Sequence, residues 1–150
     1  VIDAAGDGGG GAMTRERRCE AIALARATDL VPLAEAVLLD APVQVLRGPT
    51  VGTLMLRARE SSLGQTFHLG EALVTEAFVT IGDHQGYAIV QGMERELALA
   101  GAICDAAVEA GHDATPRILA ALRDAEARVA AARRAAWEAV AATRVVFDEM

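Results

Sequence analysis

The sequence predicts an α+β domain, an antiparallel β-meander of about four or five strands flanked by N-terminal and C-terminal helices. Three observations carry that prediction. Short runs rich in Val, Leu, Thr, Phe and Tyr fill residues 43–92, and each is closed by Gly, Pro, Asp or Ser. The linkers between them are too short for the dozen or more residues of a parallel crossover, so neighbouring runs are hairpin partners. On either side the apolar period changes to that of a helix.

The strands expected are Val43 to Arg47, Thr50 to Arg59, Thr66 to Leu69, Ala72 to Ile81 and Gly86 to Gln91. In the second, Leu54, Leu56 and Ala58 share one face while Thr53, Met55, Arg57 and Arg59 share the other, the pattern of a half-buried strand. Arg47-Gly48-Pro49-Thr50 reads as a turn, Gly70-Glu71 as a tight corner, and Gly82 to Gly86 as the last loop. In the long strand Leu73, Thr75, Ala77, Val79 and Ile81 alternate with Val74, Glu76, Phe78 and Thr80. Apolar residues stand on both faces, so a helix or another chain must cover part of the second face.

Ahead of the sheet, Gly6 to Gly11 belong to a glycine-rich stretch over residues 1–12. It reads as a flexible leader or expression remnant before a natural start at Met13, which leaves 13–150 as a single domain. Thr14 is placed to cap a helix running to about Ala27, with Cys19, Ile22, Ala23 and Leu30 as its apolar stripe and Arg15, Arg17, Arg18 and Arg26 in solvent. A second helix is expected from Leu30 to Leu39, capped by Asp29, with Leu33, Val37 and Leu38 buried. Beyond the sheet, a helix starts at Met93 or Glu94 with Leu97, Ala100, Cys104 and Ala107 in register and stops at Gly111. Thr115-Pro116 opens a further helix, whose stripe Ile118, Leu122, Ala125, Val129, Ala132, Ala136 and Ala139 suits one neighbouring helix or a partner subunit. Thr143 to Phe147 reads as a short extended ending.

At 150 residues, 53% apolar and 23% charged, the chain can bury a core without staples. A net charge of -7 argues against a nucleic-acid or anionic-membrane binder. There is no signal-type h-region and no membrane-length apolar run, so the cytoplasm is the expected compartment. Cys19 and Cys104 read as small buried hydrophobes.

The search for chemistry returns little. His68, His84 and His112 have neither the i,i+4 nor the i,i+2 spacing of a metal site. No Gly-x-Ser-x-Gly, no phosphate loop and no suitable carboxylate pair is present. These residues predict no catalytic, cofactor or metal site. The contacts singled out are Arg47, Arg57, Arg59 and Glu71: two arginines on one strand face could meet phosphates or carboxylates, and Glu71 could accept a partner's arginine. A binding subunit fits this pattern better than the alternative, an independent nucleotide-binding hydrolase or transferase.

Val51-Gly52-Thr53-Leu54-Met55-Leu56-Arg57-Ala58-Arg59, Phe67-His68-Leu69-Gly70-Glu71, Val74-Thr75-Glu76-Ala77-Phe78-Val79, Gly86-Tyr87 with Gln91-Gly92, and Ala142 to Met150 together resemble the PhnG family, the G subunit of the bacterial carbon-phosphorus lyase core complex. The resemblance implies a non-catalytic subunit assembled with the H, I and J subunits. A further reading, compatible with it, is a homodimer of the isolated chain held by its exposed apolar surface. It implies support for forming ribose 1-methylphosphonate 5-triphosphate from ATP and an alkylphosphonate. ATP and an iron-sulfur cluster are implied for the partner subunits, and no cofactor for this chain. The family commonly carries Arg after the threonine at Thr75 and Arg-Asp after the glycine at Gly92, where this chain has Glu76, Met93 and Glu94.

Overall fold

A computed structural model describes residues 13–141 and residue 143. The leader expected over 1–12 and the ending expected beyond Thr143 lie outside the described residues.

Helix α1 (Arg15–Leu24) opens at Thr14, whose hydroxyl accepts the Arg17 N–H at 3.3 Å. It stops before the predicted Ala27 because Asp29 reaches back to accept the Arg26 N–H at 3.0 Å. That bond starts α2 (Ala27–Asp40) three residues earlier than expected. Asp29 thus stands in the first turn rather than at the cap. Helix α2 buries Leu30, Leu33, Ala34 and Val37, whereas the predicted core residue Leu38 is exposed.

Among the described residues the sheet has three strands, not four or five: β1 (Val43–Arg59), β2 (Thr66–Ile81) and β3 (His84–Gln91), antiparallel in the order β1-β2-β3. The punctuation read as strand ends produces bulges instead. Gly48-Pro49 falls in a register shift between Arg47 and Thr50, where a proline without an N–H interrupts one stretch of ladder and pairing then resumes. Gly70, at φ +153°, pairs with Leu56, and the next pair is Arg57 with His68, so Leu69 is the extra residue. The Gly70-Glu71 corner is therefore a kink inside β2. Between β2 and β3 the loop shrinks to Gly82-Asp83, with Gly82 at φ +57°.

Helix α3 (Arg95–Glu109) lies across the sheet and is buried on nearly every side from Leu97 to Ala107. A Schellman motif ends it: Gly111, at φ +67°, donates to Val108 O, and His112 donates to Ala107 O at 2.9 Å. Small residues let this helix approach. A Cβ on Gly86 of β3 would stand 2.1 Å from Ala102 O and 2.4 Å from Ala106 N. Both atoms belong to a helix backbone that cannot step aside, so Gly86→Ala is expected to destabilise the domain by about 3 kcal/mol or more, read from urea midpoints. A neutral result would mean that α3 does not sit this close to β3.

The α1–α3–β3 junction holds a charge the sequence placed in solvent. Arg18 is 3% exposed. Its Nε donates to Asp105 Oδ1 at 2.6 Å, and its Nη2 donates to Glu109. Asp105 Oδ2 also accepts from Arg15 Nη2 at 3.2 Å and from the Tyr87 N–H at 3.0 Å. One buried carboxylate thereby ties three elements. Burial by itself would lower the Arg18 pKa, but its bonds and charge pairing with Asp105 and Glu109 raise it.

Cys104 is buried and unbridged, as a small core hydrophobe should be. Burial, helped by the Asp105 charge, pushes its thiol from 9.0 up to about 12. The folded pKa exceeds the unfolded one, so this contribution to stability is intact below pH 9.0 and is lost as pH rises toward about 12. Cys104→Ala is expected to flatten the alkaline fall in urea midpoint over that window. An unchanged slope would contradict the assignment.

Helix α4 (Thr115–Ala141) packs its first half on the body through Ile118, Leu122 and Ala125. Arg17–Glu126 at 2.9 Å and Arg128–Asp29 at 2.7 Å hold it to α1 and α2. His112 Nδ1 accepts the Ala114 N–H at 3.0 Å beside its start.

Candidate partner interface

β3 reaches only as far as Gln91, opposite Val74. Beyond that point, among the described residues, β1 and β2 continue alone to Arg59 and Thr66, a two-stranded ribbon about 25 Å long at the usual strand rise. It closes through Glu60 N–H to Gln65 O at 2.9 Å, and Arg59 Nε donates to Gly64 O at 2.9 Å. A two-stranded ribbon has little intrinsic stability in water. This one is also apolar: Leu54, Met55, Leu56, Phe67, Leu69 and Leu73 are all exposed, with Met55 at 57% and Leu69 at 65%.

The alternation read in the sequence survives, but its expected burial does not. Register places Leu54, Leu56 and Ala58 with Phe67, Ala72 and Val74 on one face, continuous with Glu76, Phe78 and Tyr87 lower down. The opposite face carries Thr53, Met55, Arg57 and Arg59 with His68 and Glu71. Helix α3 covers that second face only where Thr75, Ala77, Val79 and Ile81 are buried. The sequence pattern specifies the two faces, whereas cover depends on how far α3 reaches.

At the ribbon's root an open cavity of about 430 Å³ is lined by Leu46, Arg47, Glu76, Phe78 and Tyr87. Arg47 Nη1 donates to Glu76 Oε1 at 2.6 Å, and the Tyr87 hydroxyl donates to Glu76 Oε2 at 3.2 Å. Burial and this bond to a carboxylate raise the Tyr87 pKa. Phe78 meets Tyr87 edge-on, with ring centroids 6.1 Å apart. The cavity balances one cation with one anion, so its chemistry suits an amphipathic anchor better than a phosphate. Glu76, where the family resemblance led to an arginine, is here the internal partner of Arg47.

The four singled-out residues do not converge. Arg47 is engaged at the root. Arg57, Arg59 and Glu71 share the exposed ribbon face with His68, and Glu71 makes no ion pair among the described residues. Among the described residues no group of three or more His, Cys, Asp or Glu could hold a metal ion, and no helix is long and apolar enough to cross a membrane.

A second element projects as well. From residue 130 to 141, α4 is exposed all round, with Trp137 at 71%. The predicted stripe therefore divides: its first half is core, while Ala132, Ala136 and Ala139 stay uncovered. Sequence reasoning missed the cavity residues Phe78 and Tyr87 as a pair. Their alternation on adjacent strands around Gly82-Asp83 was the available signal.

A protein-family model described as "Phosphonate metabolism protein PhnG" matches residues 13–150, which takes in the sheet, both projecting elements and the whole helical body. This chain belongs to the PhnG family of phosphonate metabolism.

Proposed function

We propose that this chain is a non-catalytic subunit of the carbon-phosphorus lyase core complex, working in the cytoplasm with the H, I and J subunits. Its role is to support the formation of ribose 1-methylphosphonate 5-triphosphate from ATP and an alkylphosphonate. On this reading ATP and the iron-sulfur cluster belong to the partner subunits.

The observation that carries the reading is the ribbon. An apolar two-stranded arm with large side chains exposed on both faces is unfavourable for a free monomer and suits a chain that meets partners on both faces. The exposed end of α4, with Trp137 and Val140, supplies a second such surface. Arg57, Arg59 and Glu71 add charged contacts that orient a partner, and Arg47 with Tyr87 frames an anchor cavity.

Reconstitution tests this. The H, I and J subunits, ATP and methylphosphonate should yield the phosphonate triphosphate and adenine when this chain is added, and much less without it. The chain alone should consume no ATP. ATP turnover by the isolated chain would overturn the non-catalytic reading.

A further inference from the structure

We propose that the free edge of β1 receives an extended acidic and apolar segment of a partner subunit by strand addition. The inference rests on the subunit reading above and specifies how the partner is held.

β1 runs for 17 residues yet, among the described residues, pairs on one side only, because the sheet order places it at the edge. Among the described residues, its backbone makes ladder bonds to β2 and to no other strand. Proteins usually blunt such edges with charge, proline, bulges or brevity. The lower part of β1 follows that rule, with a bulge at Gly48-Pro49 and with Pro49 O accepting from Arg95 Nη1 at 3.0 Å. The upper part does not. Thr50-Val51-Gly52-Thr53-Leu54-Met55-Leu56 holds neither a charge nor a proline and stays in regular register with β2 throughout. An unprotected edge of this length is an aggregation template unless it is covered, and a strand is what its unpaired N–H and C=O groups fit.

Charge identifies the occupant. Between Val43 and Arg59 there are three arginines, Arg47, Arg57 and Arg59, and no carboxylate, within a chain whose net charge is -7. Arg57 and Arg59 stand two apart on one face, and the Arg57 side chain has no hydrogen bond or ion pair among the described residues. A strand laid on this edge meets them best with carboxylates at alternate positions. Its intervening residues would be apolar, lying beside Leu56 and Ala58. A second copy of β1 fits poorly, since it would bring only further arginines to the junction.

The test is residue-resolved amide exchange on the chain alone and in complex with the co-purified H, I and J subunits. Alternate amides between Thr50 and Arg59 should exchange fast in the free chain and slow by at least about 100-fold in the complex. The Arg57→Glu/Arg59→Glu double variant should keep the free chain folded and weaken assembly by about 10-fold or more. A complex that forms while these alternate amides still exchange fast would overturn strand addition and leave the subunit reading standing. Unweakened assembly of the double variant would overturn the acidic occupant. If no complex forms under conditions where the partners are folded, the subunit reading fails and this inference with it.

Discussion

Asp105→Ala is expected to destabilise the domain by about 3–5 kcal/mol, the usual cost of leaving a buried charge without its partner. The carboxylate is fully buried and accepts from Arg18, Arg15 and the Tyr87 N–H, so its loss strands the Arg18 guanidinium at 3% exposure and unties β3 from α3. Glu109 remains on Arg18 but is partly exposed and bonds a different nitrogen, so it compensates incompletely. Asp105→Asn should lose less, because an amide oxygen still accepts the Tyr87 N–H. The Arg18→Met/Asp105→Leu pair should lose less than Asp105→Ala, since both charges leave together. Urea unfolding of the three variants decides the matter. A loss below about 1 kcal/mol for Asp105→Ala would mean that the network does not bear on stability.

On the ribbon the expected effect is the reverse: little on folding, much on assembly. Leu54→Asp/Leu56→Asp alters two exposed side chains on one face of an arm that contributes little to the core, so free-chain stability should change by no more than about 1 kcal/mol. Two carboxylates placed in a desolvated contact should weaken association with the H, I and J subunits by at least about 100-fold, on the scale of interface hot spots. Thermal melts and a binding titration on the same preparation separate the two effects. Unchanged affinity would remove the outer ribbon face from the interface.

How far the sequence discloses this molecule depends on which interaction fixes each feature. Strand faces follow from alternation, so Leu54, Leu56 and Ala58 separated correctly from Met55, Arg57 and Arg59. Helix ends followed from local chemistry at Thr14 and Gly111. Strand count did not, because Gly48-Pro49 and Gly70 can end a strand or bulge it, and only pairing with the neighbouring strand decides between them. Arg18 looked like surface because its partners, Asp105 and Glu109, lie 87 and 91 residues away, beyond any local pattern. The halves of α4 look alike in sequence, and only the extent of the body separates core Leu122 from open Ala136. In the candidate interface the arginines were legible as a strand face. The cavity at Glu76 and Tyr87 was not, since it depends on the register across three strands.

The central claim is that this chain is a subunit, and the most direct measurement is its co-expression with the cognate H, I and J subunits, followed by size exclusion and mass determination. The structure and the family lead to one outcome: the chain co-elutes at the mass of a defined complex. Elution of the chain at its own mass, beside partners that are folded and assembled without it, would contradict the account.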